Sequence, residues 1–164
     1  MSVNIIKPPH QITKEPKPHF KKVFLAGTIE MGKSEDWQTK VAQYFDGRPF
    51  TILNPRRDGW DDSWEQRITN PQFYQQVNWE LDALDKADYI IMNLLPDSKS
   101  PISLLELGLY ANSGKLLVCC PDGFWRKGNV EIVCEKFNIP MYENIRNLLH
   151  DNFFITNFDE NIIL

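Results

Sequence analysis

Residues 88–120 read DYIIMNLLPDSKSPISLLELGLYANSGKLLVCC. Asp88 to Leu95 is an apolar run of strand length, broken by Pro96, and Asp97 to Ser100 is a polar loop. Ser100 offers a helix cap and Pro101 suits the first helical position, so a helix is predicted through Ala111 and ended by Gly114. Leu116 to Cys120 is then a second apolar run. Two such runs joined by a helix, with no hairpin signal, make a parallel crossover unit.

The same alternation continues in both directions. Upstream, Lys22 to Ala26 is an apolar strand closed by Gly27, and Ser34 is read as the cap of a helix with its face at Trp37, Val41, Tyr44 and Phe45. Gly47 and Pro49 end that helix, and Phe50 to Leu53 is the next strand. A long connection from Asn54 leads to Pro71, which opens a helix striped by Phe73, Val77, Leu81 and Leu84. Downstream come a helix over Asn129 to Phe137, a short strand near Pro140 to Tyr142 and a last helix from Glu143 to His150. The predicted fold is α/β: a single domain over residues 21–150, with a parallel five-stranded sheet and helices on both faces, flavodoxin-like or Rossmann-like. A proline-rich arm (residues 1–20, with Pro8, Pro9, Pro16 and Pro18) precedes it, and an apolar C-terminal tail (residues 151–164), suited to packing on a neighbouring subunit, follows.

Composition narrows the function classes. The 164 residues carry 18 Lys plus Arg against 22 Asp plus Glu, a net charge of −4, which disfavours sequence-independent binding to nucleic acid or an anionic membrane. Cys119, Cys120 and Cys134 lack disulfide or zinc spacing, and His10, His19 and His150 lie near the chain ends. The expectation is a cytoplasmic protein without metal or cofactor, whose chemistry rests on carboxylates, hydroxyls and amides.

In parallel α/β sheets, ligands bind where strands end at their carboxyl side. The helix after the third predicted strand is apolar around nearly its whole circumference, which predicts burial, yet it carries Glu106 in line with Ser103 and Tyr110. That seam either lines a cleft or is a buried carboxylate held by backbone amides or a lysine. Glu80 sits at the edge of its own helix's stripe, either flanking toward solvent or converging with Glu106. Two converging carboxylates suit chemistry at a glycosidic carbon, where one attacks and the other handles a proton. Asn54, Arg56 and Arg57 leave the second predicted strand; the arginines suit phosphate or carboxylate, or are a solvated loop pair. Gly27, Thr28 and Ile29 bring backbone amides to the same edge without dinucleotide or P-loop spacing. Trp60, Trp64, Trp79 and Trp125 are either stacking platforms or packing residues.

Taken together, the strand ending in Gly27, Thr28 and Ile29, the turn Asn54-Pro55-Arg56-Arg57, the passage from Asn78-Trp79-Glu80 to Asp88, and Ser100-Pro-Ile-Ser-x-x-Glu-Leu-Gly108 resemble the nucleoside 2-deoxyribosyltransferase family over roughly residues 22–130. The resemblance implies that Glu106 attacks the anomeric carbon of a 2′-deoxynucleoside, expels the base and holds the sugar covalently until another base displaces it. It gives Glu80 contact with the nucleoside and proton traffic to the base, although many members carry Asp there. Gly27 and Thr28 would lie against sugar or base, and Asn129 would reach the sugar of a neighbouring subunit, which implies a homodimer or larger assembly. Some transferases carry an aspartate at the position of Ser100, whereas relatives that hydrolyse nucleoside 5′-monophosphates carry a phosphate-holding serine. Three readings therefore stand: a transferase exchanging bases on deoxyribonucleosides, an N-glycoside hydrolase of nucleosides or 5′-monophosphates with Ser100 and Arg56 or Arg57 on the phosphate, and a non-catalytic nucleotide sensor.

Overall fold

The computed structural model describes residues 2–12 and 20–153, which form six parallel strands and five α-helices in a flavodoxin/Rossmann-like α/β fold. The proline-rich stretch 13–19 and the tail 154–164 lie outside the described residues. The described residues divide into two compact units, one within residues 1–25 and 31–89 and the other within residues 26–30 and 90–164.

In the first unit the strand order is β1 (Asn4–Ile6), β3 (Phe50–Leu53), β2 (Lys21–Gly27, through Leu25 in this unit). Ile5 stands opposite Ile52, and Val23 opposite the same residue on the other side. The sheet therefore has six strands rather than the expected five. The extra one lies inside the predicted arm, because Asn4, Ile5 and Ile6 precede the prolines and pair with β3. A three-residue run is too short to register as a strand until a partner supplies its hydrogen bonds. Val23, Phe24, Leu25, Ile52 and Leu53 are buried, as β-strand apolar runs must be when both faces are covered.

Helix α1 (Trp37–Tyr44) is capped by Asp36, not by Ser34: the Asp36 side chain accepts the Thr39 N–H at 3.1 Å. Helix α2 (Pro71–Lys86) opens at Pro71 with Asn70 as its cap. Its buried stripe is Gln76, Trp79, Ala83 and Leu84, while Leu81 is 39% exposed. The stripe is thus rotated from the predicted one. Trp79 turns inward and donates its indole N–H to the His10 carbonyl at 2.8 Å, and that rotation brings Glu80 toward the buried side.

In the second unit β4 (Tyr89–Asn93), β5 (Leu116–Cys119) and β6 (Met141–Tyr142) pair in that order, with Ile90 opposite Leu116 and Val118 opposite Met141. Helices α3 (Pro101–Tyr110), α4 (Lys127–Phe137) and α5 (Ile145–Phe153) alternate with them. No helix among the described residues is long and apolar enough to cross a membrane.

Candidate active site

Helix α3 is buried in an unexpected sense. Ser103, Glu106 and Leu107 face inward, whereas Ile102, Leu105 and Leu109 are 58–59% exposed. The helix is therefore not buried all round, as its composition predicted. It sends its carboxylate into the protein and leaves three large aliphatic side chains outside, the reverse of what burial of apolar surface alone favours. Ser103 and Glu106 are three residues apart and share the inward face.

The turn before α3 has been reshaped around a group of hydroxyls. Ser100 occupies the cap position, but its backbone is left-handed (φ 45°) and its side chain makes no capping bond. Its hydroxyl lies instead 2.7 Å from that of Thr28 and 3.1 Å from that of Ser98, and the Thr28 and Ser98 hydroxyls are 2.9 Å apart. Thr28 Oγ1 also accepts the Leu95 N–H, and Ser98 donates to the Leu95 carbonyl. Thr28, Ser98 and Ser100 are all buried. A left-handed serine costs about 1 kcal/mol or more, a strain that such sites hold only when their surroundings enforce it. Ser98 escaped the sequence reading because a serine in a polar loop carries no distinguishing signal.

Gly27 makes this approach possible. Its φ is 127°, its neighbour Thr28 donates to the Asn93 carbonyl at 3.0 Å, and a Cβ on Gly27 would fall 2.1 Å from that same oxygen. Only glycine fits there. Ile29 follows, half-buried.

In the first unit Glu80 pairs with Gln76 one turn earlier, whose Nε2 donates to Glu80 Oε1 at 2.7 Å and to the Pro55 carbonyl at 3.1 Å. Glu80 is half-buried as a residue, yet its carboxyl head lies deep enough that desolvation pushes its pKa up to about 7 against the lowering effect of the Gln76 bond. Gln76 is itself buried, and its Oε1 has no hydrogen-bond partner among the described residues. It is the residue that sequence reading missed here, although the i, i+4 spacing to Glu80 was available.

The neighbouring loop uses its polar groups internally. Asn54 is buried and accepts the Arg56 N–H at 3.0 Å. Each guanidinium nitrogen of Arg56 donates to the segment 32–38: Nε to Gln38, Nη1 to the Gly32 carbonyl, and Nη2 to Ser34 and the Glu35 carbonyl. Arg56 thus binds its own chain. Arg57 stacks over Trp64, 4.9 Å from the ring centroid, and donates to Gln75, while Trp60 packs against Trp64.

Asn129 is exposed in the first turn of α4, beside an open groove of about 350 Å³ that it shares with Leu104 and Leu107 of α3. Trp125 stands at the same groove, half-exposed, with its indole N–H on the Lys99 carbonyl. The three cysteines are buried, which pushes Cys119 up to about 12 and Cys120 and Cys134 to about 11, so each is a neutral thiol. Among the described residues no group of three or more His, Cys, Asp or Glu is placed to hold a metal ion.

A family model described as nucleoside 2-deoxyribosyltransferase like matches residues 20–124, most of the chain. The chain belongs to that family. The nucleoside 2-deoxyribosyltransferase-like match runs from the start of β2 through Phe124, and so contains Gly27, Thr28, Asn54, Glu80, Ser100 and Glu106. Asn129 falls beyond it. No curated protein matches the chain.

Proposed function

We propose that this protein cleaves the N-glycosidic bond of 2′-deoxyribonucleosides and passes the sugar to another nucleobase. Glu106 is the nucleophile. It attacks C1′, the electron pair of the glycosidic bond leaves with the heterocycle, and Glu80 supplies the proton that makes the departing base neutral. The result is a deoxyribosyl ester of Glu106, which an incoming base opens from the opposite side, so that configuration is retained. Lacking a 2′-hydroxyl, the sugar reaches an oxocarbenium-like transition state more readily, and an ionised carboxylate beneath C1′ stabilises it. The observation that carries the reading is the inward Glu106 of α3, against the outward Ile102, Leu105 and Leu109, in a member of this family. A carboxyl titrating near neutrality, as Glu80 does, supports the acid role.

A second reading, hydrolysis of a nucleoside 5′-monophosphate, is favoured by the start of α3. The helix has no side-chain cap, and Ser100, freed from capping, joins the Thr28 and Ser98 hydroxyls. An uncapped helix N-terminus with hydroxyls beside it suits a phosphate. Arg56 has little to offer that phosphate, since its nitrogens are engaged elsewhere.

The exposed aliphatic face of α3 supports the further reading that the protein works as a homo-oligomer, with Asn129 reaching the sugar bound by a neighbouring copy.

Incubation with a deoxyribonucleoside, with and without a second base, followed by chromatography tests these readings. A new nucleoside is the expected product. Free sugar, or free sugar phosphate from a 5′-monophosphate, supports hydrolysis instead, and a nucleoside bound but unchanged means a sensor and overturns the catalytic reading.

A further inference from the structure

The amide of Gln76 has one possible orientation. The Pro55 carbonyl can only accept, so the group facing it at 3.1 Å must be Nε2, and the second hydrogen of that nitrogen goes to Glu80 Oε1 at 2.7 Å. Rotating the amide would aim its oxygen at two acceptors. Oε1 is therefore locked on the remaining side, buried, and without a donor among the described residues. Buried amide oxygens are hydrogen-bonded in the great majority of cases, so one that is held in place and lacks a donor among the described residues is available to a donor on a bound molecule.

We propose that Gln76 selects the heterocycle, with its Oε1 accepting a hydrogen bond from an exocyclic amine next to the ring nitrogen that Glu80 protonates. The pair then presents an acceptor (Gln76 Oε1) beside a donor (the protonated Glu80 oxygen that Gln76 leaves unengaged). The complementary edge is an amine adjacent to a basic ring nitrogen, as in a 6-aminopurine or a 4-aminopyrimidine. A 6-oxopurine places a carbonyl oxygen where the amine belongs, opposite another acceptor, and leaves both unsatisfied. In the step itself the proton passes from Glu80 to the ring nitrogen as the C1′–N electron pair enters the ring, and Glu80 is left as a carboxylate. The inference rests on the glycosidic reading above and adds to it a substrate class and a residue that sets it.

The test compares kcat/KM for 2′-deoxynucleosides of a 6-aminopurine, a 6-oxopurine and the 6-unsubstituted purine, in the wild type and in Gln76→Met. The expected wild-type order is amino, then unsubstituted, then oxo, with about a tenfold to hundredfold span. In Gln76→Met all rates fall through loss of the bond to Glu80, but the span collapses toward unity, an outcome that a merely structural role would not produce. Wild-type enzyme that treats the three alike, or prefers the oxopurine, overturns the proposal whether or not the variant folds, and so does a variant that keeps the wild-type span. Calorimetric titration with the free bases separates this from failure of the glycosidic reading. If no nucleoside is turned over, that reading fails, while tighter binding of the 6-aminopurine than of the 6-oxopurine, lost in Gln76→Met, still upholds the selectivity, and equal binding overturns it.

Discussion

Gln76 Nε2 lies 2.7 Å from Glu80 Oε1, one helical turn apart on α2, and this bond holds a carboxyl that burial has raised from 4.5 to about 7. The folded protein consequently binds a proton at Glu80 between those two values that the unfolded chain has released. The contribution to stability is fully present below about pH 4.5 and is lost as pH rises through about 7.

Glu80→Gln removes that dependence. The stability of the variant relative to wild type should increase by up to about 3 kcal/mol between about pH 4 and about pH 8, the linkage value of the raised carboxyl. Urea melts at the two pH values check it, and a constant difference would show that Glu80 titrates as an ordinary surface carboxylate. Under the proposed function the same variant loses rate more than binding, and the wild-type rate falls as pH rises above about 7.

Glu106→Ala should abolish turnover, by about 10⁴-fold or more, while leaving the circular dichroism spectrum unchanged. Glu106→Gln should behave similarly and bind nucleoside at near wild-type affinity, because a neutral amide keeps the shape but neither attacks C1′ nor stabilises positive charge there. Steady-state rates and calorimetric titration separate the two effects; an active Glu106→Ala protein refutes the nucleophile.

Gly27→Ala should destabilise the fold by about 3 kcal/mol or more, since its Cβ meets the Asn93 carbonyl at 2.1 Å and its backbone conformation is one that only glycine adopts readily. Gly32, whose Cβ would meet nothing within 4 Å, is the control: Gly32→Ala pays only the backbone cost of its φ of 81°. Thermal melts of the two variants should therefore differ widely.

Arg56→Ala should cost about 2 kcal/mol, through the lost bonds to Gly32, Ser34, Glu35 and Gln38, and should leave the ratio of activity on a 5′-monophosphate to that on the nucleoside unchanged. Denaturation and paired kinetics measure both. A selective loss on the monophosphate would mean that the guanidinium exchanges its chain partners for phosphate.

Leu105→Glu places a charge on the exposed face of α3, where Leu105 is 59% exposed. It should be nearly neutral for the stability of a single copy and, under the proposed homo-oligomer, should shift the sedimentation profile toward the monomer. An unchanged profile removes α3 from any interface.

The strands and helices were legible because their signals are local. The run Ile90 to Leu94 is apolar at every position but Asn93, and Pro71, Pro101 and Gly114 stand where helices begin or end. The candidate carboxylates were legible for the same reason, each interrupting an apolar pattern on its own helix. Ser34 was misread as a cap because two acceptable capping residues lie within three positions of each other, and only the bond from Thr39 N–H decides for Asp36. Edge strand β1 was missed because its three residues gain their identity from β3, 47 positions away.

From sequence alone the molecule is an alternating α/β fold with a polar seam on one apolar helix, since periods of two and 3.6 residues are properties of the chain. The tertiary structure alone decides that this seam faces in while Ile102, Leu105 and Leu109 face out, that α2 turns Trp79 inward onto the His10 carbonyl and so carries Glu80 toward the buried side, and that Ser100 meets Thr28 across 72 residues instead of capping its own helix. Each of these is a competition between partners distant in sequence, settled by burial and hydrogen bonding that no local pattern encodes.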